Sequence, residues 1–114
     1  MADDKTLFQK IADKEIPADL VYEDDRALAF RDIDPQAPTH ILVVPRRPIP
    51  RADAVTEADE ATVGHLFTVA RRVAEAEGLS DYRLVVNNGE GAGQTVFHLH
   101  VHLLGGRDFA WPPG

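Results

Sequence analysis

Apolar residues recur along this chain with two periods, one helical and one of two residues, and their order predicts its elements. In "DDKTLFQKIADKEIP", Leu7, Phe8 and Ile11 fall at helical spacing behind acidic residues, and Pro17 ends the pattern, so a short amphipathic helix is expected. "DLVYEDDRALAFRDID" changes to strand character: two runs meet at Asp24-Asp25-Arg26, with Leu28 and Phe30 alternating against their neighbours, which predicts a hairpin. "THILVVP", Thr39 to Pro45, is a continuous apolar run between prolines and reads as a mid-sheet strand buried on both faces. "PRRPIPR", Pro45 to Arg51, is too short for an interdomain linker and reads as a rigid connector.

The strongest helical signal is "TEADEATVGHLFTVARRVAEAEG". Thr56 can cap its start, Val63, Leu66, Phe67, Ala70, Val73 and Ala74 form one stripe, and Gly78 can end it. Two further strands, "YRLVVNN" and "FHLHVHLL", flank the glycine-rich "GEGAGQT", and a hairpin connection would make them antiparallel neighbours. Helix, three strands, helix, two strands indicates an α+β fold, and 114 residues suit a single domain spanning 1–114.

Charge and composition narrow the function. Nineteen acidic against twelve basic residues leave a net charge of −7, which disfavours a sequence-independent grip on a nucleic-acid backbone, so a phosphate ligand must be held locally. No cysteine is present to form a disulfide, a thiol nucleophile or a thiolate metal site. No apolar run approaches a membrane span, and "MADDKTLFQK" lacks the basic and apolar regions of a signal peptide; the expectation is a cytoplasmic chain without a membrane partner.

The chemistry concentrates in "VFHLHVHLLGG", where His98, His100 and His102 alternate with Leu99 and Val101. Along a strand rising ~3.3 Å per residue they would share one face at intervals of ~7 Å. Three readings are open. A half-buried strand with polar residues outward normally carries Thr, Lys or Glu there. A zinc site could use an i, i+2 pair with His40 or Asp32 as a third ligand, yet no Asp or Glu lies between Thr95 and Arg107. Nucleophilic catalysis at phosphorus suits imidazole, which is a competent nucleophile near neutral pH, while neighbouring rings donate to an anion. Gly89, Gly91 and Gly93 before the histidines allow close approach of backbone N–H groups to a phosphate, and Gln94 and Thr95 add side-chain donors.

"HLHVHLL" resembles the motif of the histidine triad (HIT) family, His-apolar-His-apolar-His-apolar-apolar. The likeness extends through "KEIPADLVYEDDRALAFRDIDPQAPTHILVVPRR" and "AGQTVFHLHVHLLGGR" to the closing "WPPG", a pattern similar to the Hint branch of nucleotide-binding proteins, with Ala92 where that branch has glycine. The resemblance implies a five-stranded antiparallel sheet with one long and one short helix, in a homodimer whose sheet continues across subunits. It implies a purine nucleoside phosphoramidase that cleaves the P–N bond of AMP-amines through a nucleotidyl-histidine, with no cofactor and no metal.

Position by position, the resemblance makes His100 the nucleophile and has His98 orient the hydrogen-bond network around it. His102 would hold a phosphate oxygen, His40 would complete the cluster beside His98, and Thr95 would place a hydroxyl near the leaving group. Asp32 would accept from the ribose hydroxyls and Asn87 would lie near sugar and phosphate, with Gly93 and Gln94 in the phosphate loop. Phe8, Ile16, Phe30, Ile33 and Leu42 match positions lining the base pocket, and Trp111 would lie near the partner's active site. Arg31 stands where relatives carry histidine beside that pocket, and His65 on the long helix matches nothing catalytic. The rivals are dinucleoside polyphosphate hydrolysis, the chemistry of the fragile-histidine-triad branch, and an AMP-binding or zinc-binding module without turnover.

Overall fold

The apolar run between prolines is the middle of the sheet. The computed structural model describes residues 4–114; the first residues of the acidic opening lie outside that range. The chain runs through α1 (Leu7–Ala12), β1 (Leu20–Glu23), β2 (Ala27–Arg31), β3 (Thr39–Pro45), α2 (Glu60–Ala76), β4 (Tyr82–Val85) and β5 (Val101–Gly105). Short 3₁₀ turns occupy Ala52–Ala54, Glu57–Asp59 and Glu90–Ala92. The strands form one sheet in the order β1-β2-β3-β5-β4 with every neighbouring pair antiparallel. The expected α+β architecture, a five-stranded antiparallel sheet with one long and one short helix, is the observed one.

Strand alternation divides the molecule into two cores. Ala27, Ala29, Ile41, Val43, Val101 and Leu103 face α2 and pack on Leu66, Val69, Ala70 and Val73. Leu28, Phe30, Leu42 and Val44 point to the opposite side, where Phe8 and Ile11 of α1 cover them. Thr6 caps α1 by accepting from Gln9 N–H at 3.1 Å, while the Gln9 side chain accepts from Thr6 N–H at 2.8 Å. Such a cap is worth about 1 kcal/mol, a useful share of the stability of a six-residue helix.

Three local expectations shift. The buried arc of α2 passes through Leu66, Val69, Ala70 and Val73, and Phe67, one step further round, is 49% exposed. His65, expected as a surface or partly buried helix residue, takes the buried place beside Leu66 because both ring nitrogens are satisfied. Arg26 can only donate, so His65 Nδ1 accepts from it at 3.2 Å and Nε2–H donates to Asp24 at 2.6 Å. Burial pushes the Asp24 carboxyl up, but bonds accepted from Arg26 N–H, His65, Tyr22 and Ala27 N–H outweigh this and hold it far below the usual carboxylate range.

The third shift concerns the histidine strand. Only Val101–Gly105 is strand; His98 and His100 lie in the irregular segment before it. The β3–β5 ladder reaches Val43 opposite Val101, and two residues further along β3 stands Pro45, which has no N–H to offer. The Pro45 carbonyl is taken by the His98 ring at 2.6 Å, and Leu99 N–H turns to Ile49 O at 2.6 Å. The segment therefore bends and draws its imidazoles together.

Leu66 is fully buried between α2 and the sheet. Leu66→Ala is expected to cost about 2–5 kcal/mol in urea unfolding, and a loss below about 1 kcal/mol would show that α2 does not anchor this core.

Candidate functional site

The site lies on the α1 side of the sheet, where His102 on β5 and His40 on β3 meet the bent segment carrying His98 and His100. The rings of His100 and His102 stand edge to face with centroids 4.9 Å apart, and Phe8 meets the His98 and His100 rings edge-on at 5.5 and 5.1 Å. His98 is completely buried, His40 and His100 are nearly so, and His102 is half-buried.

Hydrogen-bond chemistry assigns the tautomers, because carbonyls only accept and backbone amides only donate. His100 Nδ1 lies 2.8 Å from the His98 carbonyl, so it carries the proton and leaves the lone pair on Nε2, which meets no hydrogen-bond partner among the described residues. His40 Nδ1 accepts from Gln36 N–H at 3.1 Å, so His40 Nε2–H donates to His102 Nδ1 at 3.0 Å. The proton of His102 then sits on Nε2 as an available donor. One ring thus offers a lone pair and its neighbour an N–H.

Burial depresses the pKa of all three motif histidines. For His98 and His100 it outweighs the stabilising hydrogen bonds to the Pro45 and His98 carbonyls. His102 is lowered to about 4, by burial first and then by its histidine neighbours, against the opposing pull of Asp32. The rings are therefore neutral near pH 7, as a lone-pair donor must be.

The structure gathers some of the expected residues and separates others. Asp32 Oδ2 lies 3.5 Å from His40 Nε2, while Oδ1 accepts from Asp34 N–H at 2.8 Å, so the carboxylate is held at the edge of the cluster. His40 pairs with His102, correcting the expectation that it stands beside His98. Phe8, Phe30 and Leu42 form a buried apolar floor with Ile16 against it. Asn87 lines a cleft of about 310 Å³ with Gln36, His40 and His102. Thr95, Ile33 and Trp111 are exposed.

Two polar residues face elsewhere. Gln94 is buried, with its amide spent inside the loop: the oxygen accepts from Gly89 N–H at 2.8 Å and the nitrogen donates to the Pro50 and Val96 carbonyls at 2.9 and 3.1 Å. Gly89 and Gly93 adopt positive φ of 93° and 96°, which the turn around Glu90–Ala92 requires. Arg31 shares strand parity with Ala27 and Ala29 and so points to the α2 side, where it forms a bidentate pair with Glu77 at 2.8 and 3.0 Å. It lies on the opposite face of the sheet from the apolar floor, correcting the expectation that it stands beside that pocket.

Asp32, His40 and His102 each offer a ligand atom within 4.8 Å of the others, the one such group among the described residues. The convergence therefore falls on these three and not on the i, i+2 pair His98 and His100; both His98 nitrogens are already engaged.

Sequence reasoning overlooked three contributors: Thr6, whose Oγ1 lies 2.6 Å from His98 Nδ1, and the Gln36 amide and Pro45 carbonyl that set ring orientation. The two backbone groups leave no side-chain signal. For Thr6 the signal available was its place three residues before Gln9, which marks a capping box.

A five-stranded antiparallel sheet that presents four histidines beside an apolar floor defines a class of protein, and comparison supplies its family. The HIT domain family profile matches residues 13–109. An uncharacterized HIT-like protein of Synechocystis sp. is 56% identical over 115 residues, 100% of both chains. A crystal structure of a HIT family hydrolase from Legionella pneumophila Philadelphia 1 has a TM-score of 0.93 and 51% identity, covering 96% of this chain and 100% of that one. The histidine triad nucleotide-binding protein from Candida albicans has a TM-score of 0.81 and 25% identity, covering 96% of this chain and 85% of that one. The chain belongs to the HIT domain family.

The depressed histidines make stability depend on pH. They are neutral when folded and bind protons more readily when unfolded, so their contribution is full above about pH 6.5 and is lost as pH falls toward about 4, the folded value of His102. The melting temperature should fall from pH 7 to pH 5, less steeply in His102→Gln; a flat or rising trend would contradict this assignment.

Proposed function

We propose that this protein is a purine nucleoside phosphoramidase of the Hint type, with His100 as the covalent catalyst. The observation that carries the reading is the Nδ1–H bond from His100 to the His98 carbonyl at 2.8 Å, which leaves a neutral ring with its lone pair on Nε2. That nitrogen attacks the α-phosphorus; the P–N bond breaks, and the amine leaves with the bonding pair and a proton that solvent supplies through the exposed Thr95 hydroxyl. Bonding to phosphorus makes the ring cationic, and the same His98 carbonyl stabilises the charge through Nδ1–H. Water then attacks phosphorus and gives up a proton to solvent by the same path, the P–Nε2 bond breaks with its electron pair returning to the ring, and AMP departs from a regenerated neutral imidazole.

His102 Nε2–H donates to a phosphoryl oxygen as charge develops, and Asp32 accepts from the ribose hydroxyls. The apolar floor of Phe8, Phe30, Leu42 and Ile16 suits a purine. The Legionella relative is described as a hydrolase and the Candida one as nucleotide-binding, and both descriptions agree with this reading.

The reading extends to a homodimer. β4 is an outer strand with one unpaired edge, and Tyr82, Val86 and Phe67 are exposed near it and on α2. Pairing two copies along β4 would continue the sheet. Light scattering is expected to give twice the chain mass, with Val86→Asp shifting it toward monomer; a monomeric wild type at micromolar concentration would refute the dimer.

Steady-state AMP release from adenosine 5′-phosphoramidate tests the activity. His100→Ala should lose at least about 10³-fold in kcat, and the wild type should prefer the phosphoramidate to diadenosine polyphosphates. Preference for the polyphosphates would transfer the assignment to dinucleoside polyphosphate hydrolysis, and no release from either would leave a binding module.

A further inference from the structure

Thr6 has no place in the family motif, yet it touches the histidine cluster from the far end of the sequence. Its Oγ1 accepts from Gln9 N–H at 3.1 Å and lies 2.6 Å from His98 Nδ1. On the other side of that ring, His98 Nε2 lies 2.6 Å from the Pro45 carbonyl. A carbonyl only accepts, so Nε2 bears the hydrogen; in the neutral ring Nδ1 then holds a lone pair and takes the single proton of the Thr6 hydroxyl.

We infer that Thr6 is a positioning residue for His100, acting through His98. The hydroxyl proton and the Pro45 carbonyl grip the His98 ring from both sides and fix one tautomer and one orientation. Fixing the ring fixes the short stretch of backbone that carries it, and the His98 carbonyl is the acceptor for His100 Nδ1–H at 2.8 Å. The same short helix seats Phe8 edge-on against both rings. Helix α1 is therefore a clamp on the nucleophile as well as a cover for the apolar floor. Without the hydroxyl, the buried Nδ1 lone pair loses its donor, and the ring gains a reason to flip, protonate or exchange tautomers.

The kinetic half of this inference rests on the nucleotidylation reading above; the structural half does not. The test compares Thr6→Val, which keeps the shape and removes the hydroxyl, with Thr6→Ser, which restores it, and Gln9→Ala, which removes the other half of the cap and leaves the Thr6–His98 contact. Ring ¹⁵N NMR reads the His98 tautomer at pH 7, and single-turnover release of AMP from adenosine 5′-phosphoramidate reads the rate. Wild type, Thr6→Ser and Gln9→Ala should show the Nε2–H tautomer, whereas Thr6→Val should lose it and slow the single turnover about 10-fold or more. An unchanged His98 tautomer in Thr6→Val, a rate within about twofold of wild type, or an equal loss in Gln9→Ala would overturn the inference. If Thr6→Val does not fold, the wild-type spectrum decides, because an Nδ1-protonated His98 would make Thr6 an acceptor. If the wild type turns over no phosphoramidate, the function assigned above fails while the NMR comparison still decides the role of Thr6.

Discussion

The site depends on one hydrogen bond, from His100 Nδ1–H to the carbonyl of His98 at 2.8 Å. An imidazole in water exchanges tautomers freely and presents either nitrogen. Here the carbonyl removes that choice, directs the lone pair to Nε2 and stays in place to stabilise a cation if that nitrogen forms a bond. The rest of the fold serves to hold this carbonyl still. β3 ends in Pro45, whose oxygen anchors the His98 ring; Ile49 holds Leu99 N–H; and α1 closes over the other side.

A second set of contacts performs the complementary task for His102. Gln36 N–H fixes the His40 tautomer, and His40 fixes that of His102, so a proton is left on His102 Nε2 while the neighbouring His100 keeps its lone pair on Nε2. Both sequences of bonds begin at backbone groups, which do not titrate. Burial keeps the His98, His100 and His102 rings neutral near pH 7. In a chain carrying a net charge of −7, the site thus offers a preset donor in His102 Nε2–H, without a net basic charge on the chain.

Much of this was legible in the order of residues. The proline-bounded run at Thr39–Pro45 identified the central strand, the 3.6-residue period identified α2, and alternating histidines on an apolar strand named the cluster. The misreadings share a cause: each turned on which face or which distant group a side chain meets. Arg31 read as standing beside the base pocket, although its parity with Ala27 and Ala29 sends it to Glu77. Gln94, a polar residue among glycines, read as a phosphate donor, but folding spends its amide on the Pro50 and Val96 carbonyls. Thr6 meets His98 across 92 positions, a contact that no local pattern encodes. The histidine strand read too long because a side chain, and not a strand neighbour, takes the Pro45 carbonyl.

The most direct measurement is mass spectrometry of peptides from protein quenched in acid-free conditions during turnover of adenosine 5′-phosphoramidate. The account predicts an AMP adduct on His100 and on no other histidine. AMP accumulating in solution with no adduct at any quench time, or an adduct on His98 or His102, would contradict it.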